Sequence, residues 1–420
     1  MLIDEYMEDQ LFFVIIALVL LNFFISELLK YYNNVWRRKS IPPELIDVYT
    51  HDRYITYLNY KKESYRFSVI TSSFSLVLIL VMLYAGFAMV DNWLRGLVSN
   101  EIVISLLFFG IIGFASDILS TPFDIYETFV IEQKYGFNTS TLKTYLFDKL
   151  KSYFLVIVIG LPVLYLIVWL YGKFGADFWW LAWMVIAAIS IVISLLYSNL
   201  IVPLFNKQTP LAEGELREGI KELSEKTGFK LDNIFVIDGS KRSTRANAYF
   251  TGLGSRKRIV LFDTLIGTQS KDEIVSVLAH EIGHYKKKHT IKGLITSILQ
   301  TGLLLFLFSL IIENPVIYEA LGTKSGFHVG MIIFIILYSP VSFILSFGLN
   351  YMSRKHEFEA DSYAVQHSSG ESLITALKAL TTNNLSDLNP NPWFVRAYYS
   401  HPPLVQRIGA ISKLMKDKNA

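Results

Sequence analysis

The sequence predicts a mainly α-helical membrane protein: about seven transmembrane helices and a small α+β unit on one face of the bilayer. Three observations lead there. Of the 420 residues, 52% are hydrophobic and only 18% charged, and the mean hydropathy is +0.39, outside the usual range of soluble domains. The apolar residues are gathered into long runs, and a hydrocarbon core of ~30 Å needs about 20 of them per helix. One long stretch, 205–290, breaks this pattern and reads as a mixed helix-and-strand unit.

The seven runs are about Leu11 to Leu29, Phe67 to Val90, Ile102 to Leu119, Tyr153 to Tyr171, Phe178 to Leu200, Ile291 to Ile312 and Val329 to Leu349. The third is the weakest of the seven, because it is short and ends with Asp117. After the first run come Lys30, Arg37, Arg38, Lys39, Arg53, Lys61, Lys62 and Arg66, which place that segment in the cytoplasm. The N-terminus is then outside. Alternation puts 91–101, 173–177 and 313–328 outside, and 120–152, 201–290 and everything after 349 inside. The chain therefore divides into a transmembrane region 1–204, a cytosolic unit 205–290, two further spans in 291–349 and a cytosolic tail 350–420. The unit and the tail share a compartment and can meet there.

Composition closes other routes. There is no cysteine, so disulfides and thiolate metal sites are excluded, and any metal must be held by His and carboxylate. A net charge of +3 gives no argument for nucleic acid. Asp4, Glu5, Glu8 and Asp9 are acidic where a cleavable signal peptide would start basic.

Within 205–290, Leu216, Ile220 and Leu223 recur at helical spacing, and Gly228 would stop that helix. Ile234 to Ile237 reads as a strand. Ala246 to Thr251 and Arg258 to Phe262 flank Gly252-Leu253-Gly254-Ser255 as a hairpin. Ser270 with Glu273 forms a capping box that opens a helix through Val275, Val277 and Leu278.

That helix carries His280-Glu281-Ile282-Gly283-His284. Residues four apart share a helix face, so both imidazoles can ligate one Zn²⁺, with Glu281 left to act as general base on the activated water. A catalytic zinc of this kind needs a third protein ligand. The tail offers Glu357, with Asp361 four residues on to accept a hydrogen bond from a ligand imidazole, and Ala360 and Ala364 to allow close approach. Glu359 is expected to be solvated. His356 is an alternative ligand one residue off the face. His289 reads as an interfacial residue beside Lys286 to Lys288. His401, in Ser400-His401-Pro402-Pro403, is the candidate second stabiliser of the developing oxyanion, with a turn histidine as the alternative. Arg407 is in reach if the segment after Pro403 is helical.

These residues, taken with Pro122 to Tyr126, Phe129 to Glu132, Gly136 to Asn138, Pro203 to Lys207, Thr209 to Leu211 and Asn247 to Gly252, resemble the CAAX prenyl protease 1 family. These membrane metallopeptidases process prenylated C-termini. The resemblance runs from about residue 120 to 410 and implies a ring of seven helices around a water-filled chamber, closed on the cytosolic side by one zinc per chain. It implies a peptide or protein substrate with a prenylated C-terminus, added as a strand along the edge that includes Asn247. Asn247 would hold the substrate backbone, and His401 and Arg407 would support the reacting carbonyl. Tyr285 departs from the tryptophan common there. The compact chain leans bacterial, which would mean the inner membrane, whereas a eukaryotic member would sit in the endoplasmic reticulum. Two competing readings stand beside this one. One is a broad quality-control membrane peptidase independent of prenylation. The other is a transporter or scaffold with structural zinc, which would have no need of Glu281 and would require a fourth ligand.

Overall fold

The computed structural model describes residues 2–37, 41–229, 234–251 and 258–419. Among these, six helical stretches are long and apolar enough to cross a membrane: Asp9–Trp36, His51–Leu97, Glu101–Glu132, Leu142–Phe205, His289–Ser309 and Phe327–His367. The fourth, 64 residues long, holds two of the expected spans. A tight turn at Gly175–Asp177 divides it. Gly175 stands at φ +54°, a region that favours glycine, and the Ala176 N–H donates to Glu313 Oε1 at 2.8 Å. The limbs Leu161–Phe174 and Phe178–Leu196 fold onto each other through Val168, Leu170, Phe178 and Ala182. Six stretches thus make seven passes.

The helix that carries the third run continues past Asp117. Its carboxylate pairs with Lys149 at 2.9 Å and accepts a hydrogen bond from the Tyr153 hydroxyl, so the charge is satisfied and the helix continues to Glu132. In each stretch only 6% to 17% of the most apolar window is buried within the protein. The rest is free to face lipid, whose tails solvate it as well as protein does.

The polar unit forms a four-stranded sheet in the order β1-β2-β4-β3, from Gln208–Pro210 (β1), Ile234–Ile237 (β2), Ala248–Thr251 (β3) and Arg258–Phe262 (β4). β3 and β4 are antiparallel and β2 and β4 parallel. β1 was not expected as a strand, and β3 starts two residues later than expected. The hairpin tip, with Gly252 to Ser255, lies outside the described residues, as do Arg38 and Lys39. The amphipathic helix Glu215–Thr227 ends at Gly228, and the capping box at Ser270 opens the motif helix Lys271–Lys286.

Three apolar cores hold the chain together. Two gather Phe87, Phe108 and Val329, and Val168, Phe178 and Phe308, at the membrane end near the 91–101, 173–177 and 313–328 connections. The third lies at the opposite end. It draws Leu45 and Tyr57, Ile131 and Phe137, Ile259 and Leu278, and Ala364, Leu373 and Ile411 into one cluster. This packing crosses the sequence boundaries at 204, 290 and 349, because no one segment there has enough apolar surface to close a core alone.

Candidate metal centre and active site

The seventh span does not stop at the membrane. Phe327–His367 is one helix of 41 residues, so Glu357 and Asp361 are carried rigidly on its extension. The motif helix crosses it at Gly283. A Cβ there would stand 3.0 Å from Ala360 Cα and 3.1 Å from its carbonyl oxygen, so any larger residue would push the two helices apart by a few tenths of an ångström. The close crossing brings the two histidines against Glu357.

His280, His284 and Glu357 each turn one ligand atom inward, all within 4.8 Å of one another. His280 Nε2 and His284 Nε2 are 3.1 Å apart, His284 Nε2 is 3.3 Å from Glu357 Oε1, and His280 Nε2 is 3.5 Å from Glu357 Oε2. Ligands about 2.0–2.1 Å from a tetrahedral zinc stand about 3.3–3.4 Å from each other. Glu357 is 4% exposed, and its Oε2 has no hydrogen-bond partner among the described residues. His401 Nδ1 lies 2.9 Å from that oxygen but out of line for a hydrogen bond. A buried orphan carboxylate oxygen facing two imidazoles is the donor set of a divalent cation. His356 is outside this convergence.

Each imidazole is held from behind. His280 Nδ1 is 2.9 Å from Asp361 Oδ1, and Asp361 is clamped by Arg407 through Nε at 2.8 Å and NH2 at 2.6 Å. Arg407 is thereby committed to Asp361, with NH1 3.5 Å from Glu357. Burial opposes the charged form of His280, but the adjacent carboxylates of Asp361 and Glu357 outweigh it and raise its pKa to about 9. A metal must displace that proton. Burial pushes the Glu281 carboxyl up, against the nearby imidazoles.

The second support corrects two expectations. His284 Nδ1 is 3.0 Å from His289 Nδ1, and His289 Nε2 is 3.1 Å from Glu359 Oε2. His289 is buried rather than interfacial, and Glu359 is engaged rather than solvated. His356 stacks on His289 at 4.0 Å. The cause is Lys288, whose left-handed φ of 57° breaks the helix and returns His289 beside the motif. A non-glycine residue in that conformation was the one local signal available, and it is invisible in sequence.

A cavity of about 670 Å³ opens on the site, lined by Glu281, His401, Asn247 and Tyr249 together with membrane-helix residues such as Thr296 and Gln300. β3 is an edge strand of the sheet, and Asn247 immediately precedes it. The Asn247 side chain caps its own strand, with Oδ1 accepting from the Ala248 N–H at 2.9 Å.

Membrane-crossing helices, a two-histidine motif and a carboxylate delivered by a span define a membrane-embedded metallopeptidase. Residues 30–207 match the family described as CAAX prenyl protease N-terminal, five membrane helices, and residues 210–415 match Peptidase family M48. CAAX prenyl protease 1 of Saccharomyces cerevisiae is 36% identical over 407 residues, covering 90% of each chain. The Oryza sativa CAAX prenyl protease 1 homolog is 41% identical over 318 residues, covering 74% of each. The crystal structure of S. mikatae Ste24p superposes with a TM-score of 0.89 at 36% identity, over 96% of this chain and 98% of that one. The chain belongs to the CAAX prenyl protease 1 family. Its compactness does not separate it from the fungal relative, which it matches over nearly full length.

Proposed function

We propose that this chain is a zinc endopeptidase, with one zinc per chain, that removes C-terminal residues from prenylated CAAX substrates at the cytosolic membrane face. The observation that carries the reading is the convergence of His280 Nε2, His284 Nε2 and the orphaned Glu357 carboxylate at metal-ligand spacing. The names of the relatives support the substrate class.

When bound, zinc supplies Lewis-acid polarisation of the scissile carbonyl and activation of the attacking water. The protein's residues do the rest. Glu281 takes the water proton and returns it to the leaving amine. His401, 65% exposed in its side chain, faces the cavity as a donor to the developing oxyanion. Arg407 acts beside it, chiefly through the Asp361 clamp that keeps the His280 Nδ1 proton in place. Asn247, at the open edge beside β3, is placed to hold an added substrate strand. The cytosolic unit 205–290 and the tail 350–420 form one catalytic body with the spans 1–204 and 291–349. Apolar packing concentrated at the two ends of the spans supports a chamber between them.

The test is cleavage of one peptide, farnesylated or bare. Hydrolysis of the farnesylated form alone is expected; equal hydrolysis of both would remove prenyl recognition from the proposal. For orientation, protease added outside right-side-out vesicles should spare 205–290, and cutting there would reverse the topology. For the second support, His289→Ala should weaken zinc binding about 10- to 100-fold. Unchanged affinity would make the His284–His289–Glu359 chain incidental.

A further inference from the structure

The catalytic residues border two spaces. On the membrane side is the cavity that reaches Thr296 and Gln300. Beside it a smaller space, about 180 Å³, also touches His280, Glu281 and Glu357 and is walled by Leu265, Val277 and Leu373. Leu377, Leu380, Asn384, His401 and Arg407 line both this space and a third cavity of about 470 Å³, so the two are neighbours. Lys61 lines that third cavity.

Lys61 forms no hydrogen bond or ion pair among the described residues; its Nζ lies 5.3 Å from the centroid of the Tyr60 ring. Asp387 lines the same cavity but is already saturated. Its oxygens accept from Arg37 at 2.8 and 3.1 Å, Tyr57 at 2.8 Å, Asn33 at 3.2 Å and Tyr399 at 3.3 Å. A carboxylate offers about four acceptor positions, so Asp387 faces Lys61 as a neighbouring charge without accepting a hydrogen bond from it. The charge is balanced by Asp387, but the N–H donors of this sheltered ammonium have no acceptor, which leaves them open to a second one. A second polar atom lacks a partner here: Asn384 Oδ1 is buried, makes no hydrogen bond, and belongs to a residue lining the same cavity.

We propose that Lys61 binds the C-terminal carboxylate of the substrate, and that Asn384 Oδ1 accepts a backbone N–H of the short peptide that leaves. The inference rests on the proposed function and extends it to the leaving side of the scissile bond. A prenyl group directed toward the membrane-side cavity leaves the smaller space to the C-terminal residues. There they meet aliphatic walls first and the ammonium last. The enzyme then measures the distance from the bond it cuts to the chain end, which suits removal of a few terminal residues.

The experiment uses a farnesylated peptide with three residues after the cysteine, ending in a free carboxylate or a carboxamide. Full-length wild type, Lys61→Met and Lys61→Arg are each offered both. Wild type should prefer the carboxylate by about 10- to 100-fold in kcat/KM, the range for a charged hydrogen bond. Lys61→Met should bring the ratio near one, and Lys61→Arg should keep a preference. Both peptides meet the same preparation, so the ratio does not depend on the folded fraction. A wild type indifferent to the terminus overturns the assignment. So does a Lys61→Met variant that slows both peptides alike with the ratio unchanged, since Lys61 would then act structurally. A wild type that cuts neither peptide removes the proposed function, and this inference with it.

Discussion

Glu281→Gln should lower peptide hydrolysis by at least about 100-fold, toward 10⁴-fold, the usual contribution of a positioned base. The variant should keep its zinc. Glu281 is outside the converging triad, and the amide keeps the size of the acid. Burial also raises the carboxyl's affinity for a proton, so replacing it by a neutral amide leaves no buried charge behind. Metal content and hydrolysis measured on one preparation decide the matter. A variant that loses metal would make Glu281 a ligand, and one that retains activity would move the base elsewhere.

Glu357→Ala should lose both zinc and activity. The triad would be reduced to two imidazoles, and a catalytic zinc site of this type uses three protein ligands. The effect should exceed that of His289→Ala, because His289 acts only through His284. Glu357 is 4% exposed on a helix continuous with a span, so little else can take its place. Bound metal per chain, measured after dialysis, should fall from one toward zero. Unchanged stoichiometry would point to another ligand, with His356 the first to examine. The truncation also releases Arg407 NH1 and His401 Nδ1 from a neighbouring anion, so thermal unfolding should be recorded beside the metal count.

The parts of this site that were legible in the sequence are those set by local geometry. His280 and His284 share a face because a helix turns every 3.6 residues, and Glu357 and Asp361 share one for the same reason. Gly283 and Ala360 are small where the helices cross, and both stand in the motifs themselves. The hydropathy of the spans, the capping box at Ser270 and the stop at Gly228 are likewise written within a few residues of where they act.

What resisted reading was set by chain reversal. His289, nine positions after His280, sits off the ligand face of any continuous helix. The left-handed backbone at Lys288 starts a new helix and swings the ring back to His284. Glu359 looked solvated because its own helix points it away from Glu357, yet a neighbouring helix covers it with His289. Arg407 was legible only as a group near the substrate; that Asp361, from another segment, also holds its guanidinium was set by the fold. Lys61 counted only as one of several positive charges orienting the second span, until the tail folded Asn384 and His401 around the same cavity.

The sequence by itself therefore determined which segments are apolar enough to cross a membrane and which histidines and carboxylates share a helix face. Hydropathy and helical periodicity are properties of neighbouring residues, and neighbouring residues suffice to state them. The tertiary structure alone decided which side chains stand behind the ligands and which ammonium is left without a hydrogen-bond acceptor. Those relations join residues hundreds of positions apart, and only a packed core that draws on every segment brings them within hydrogen-bonding distance.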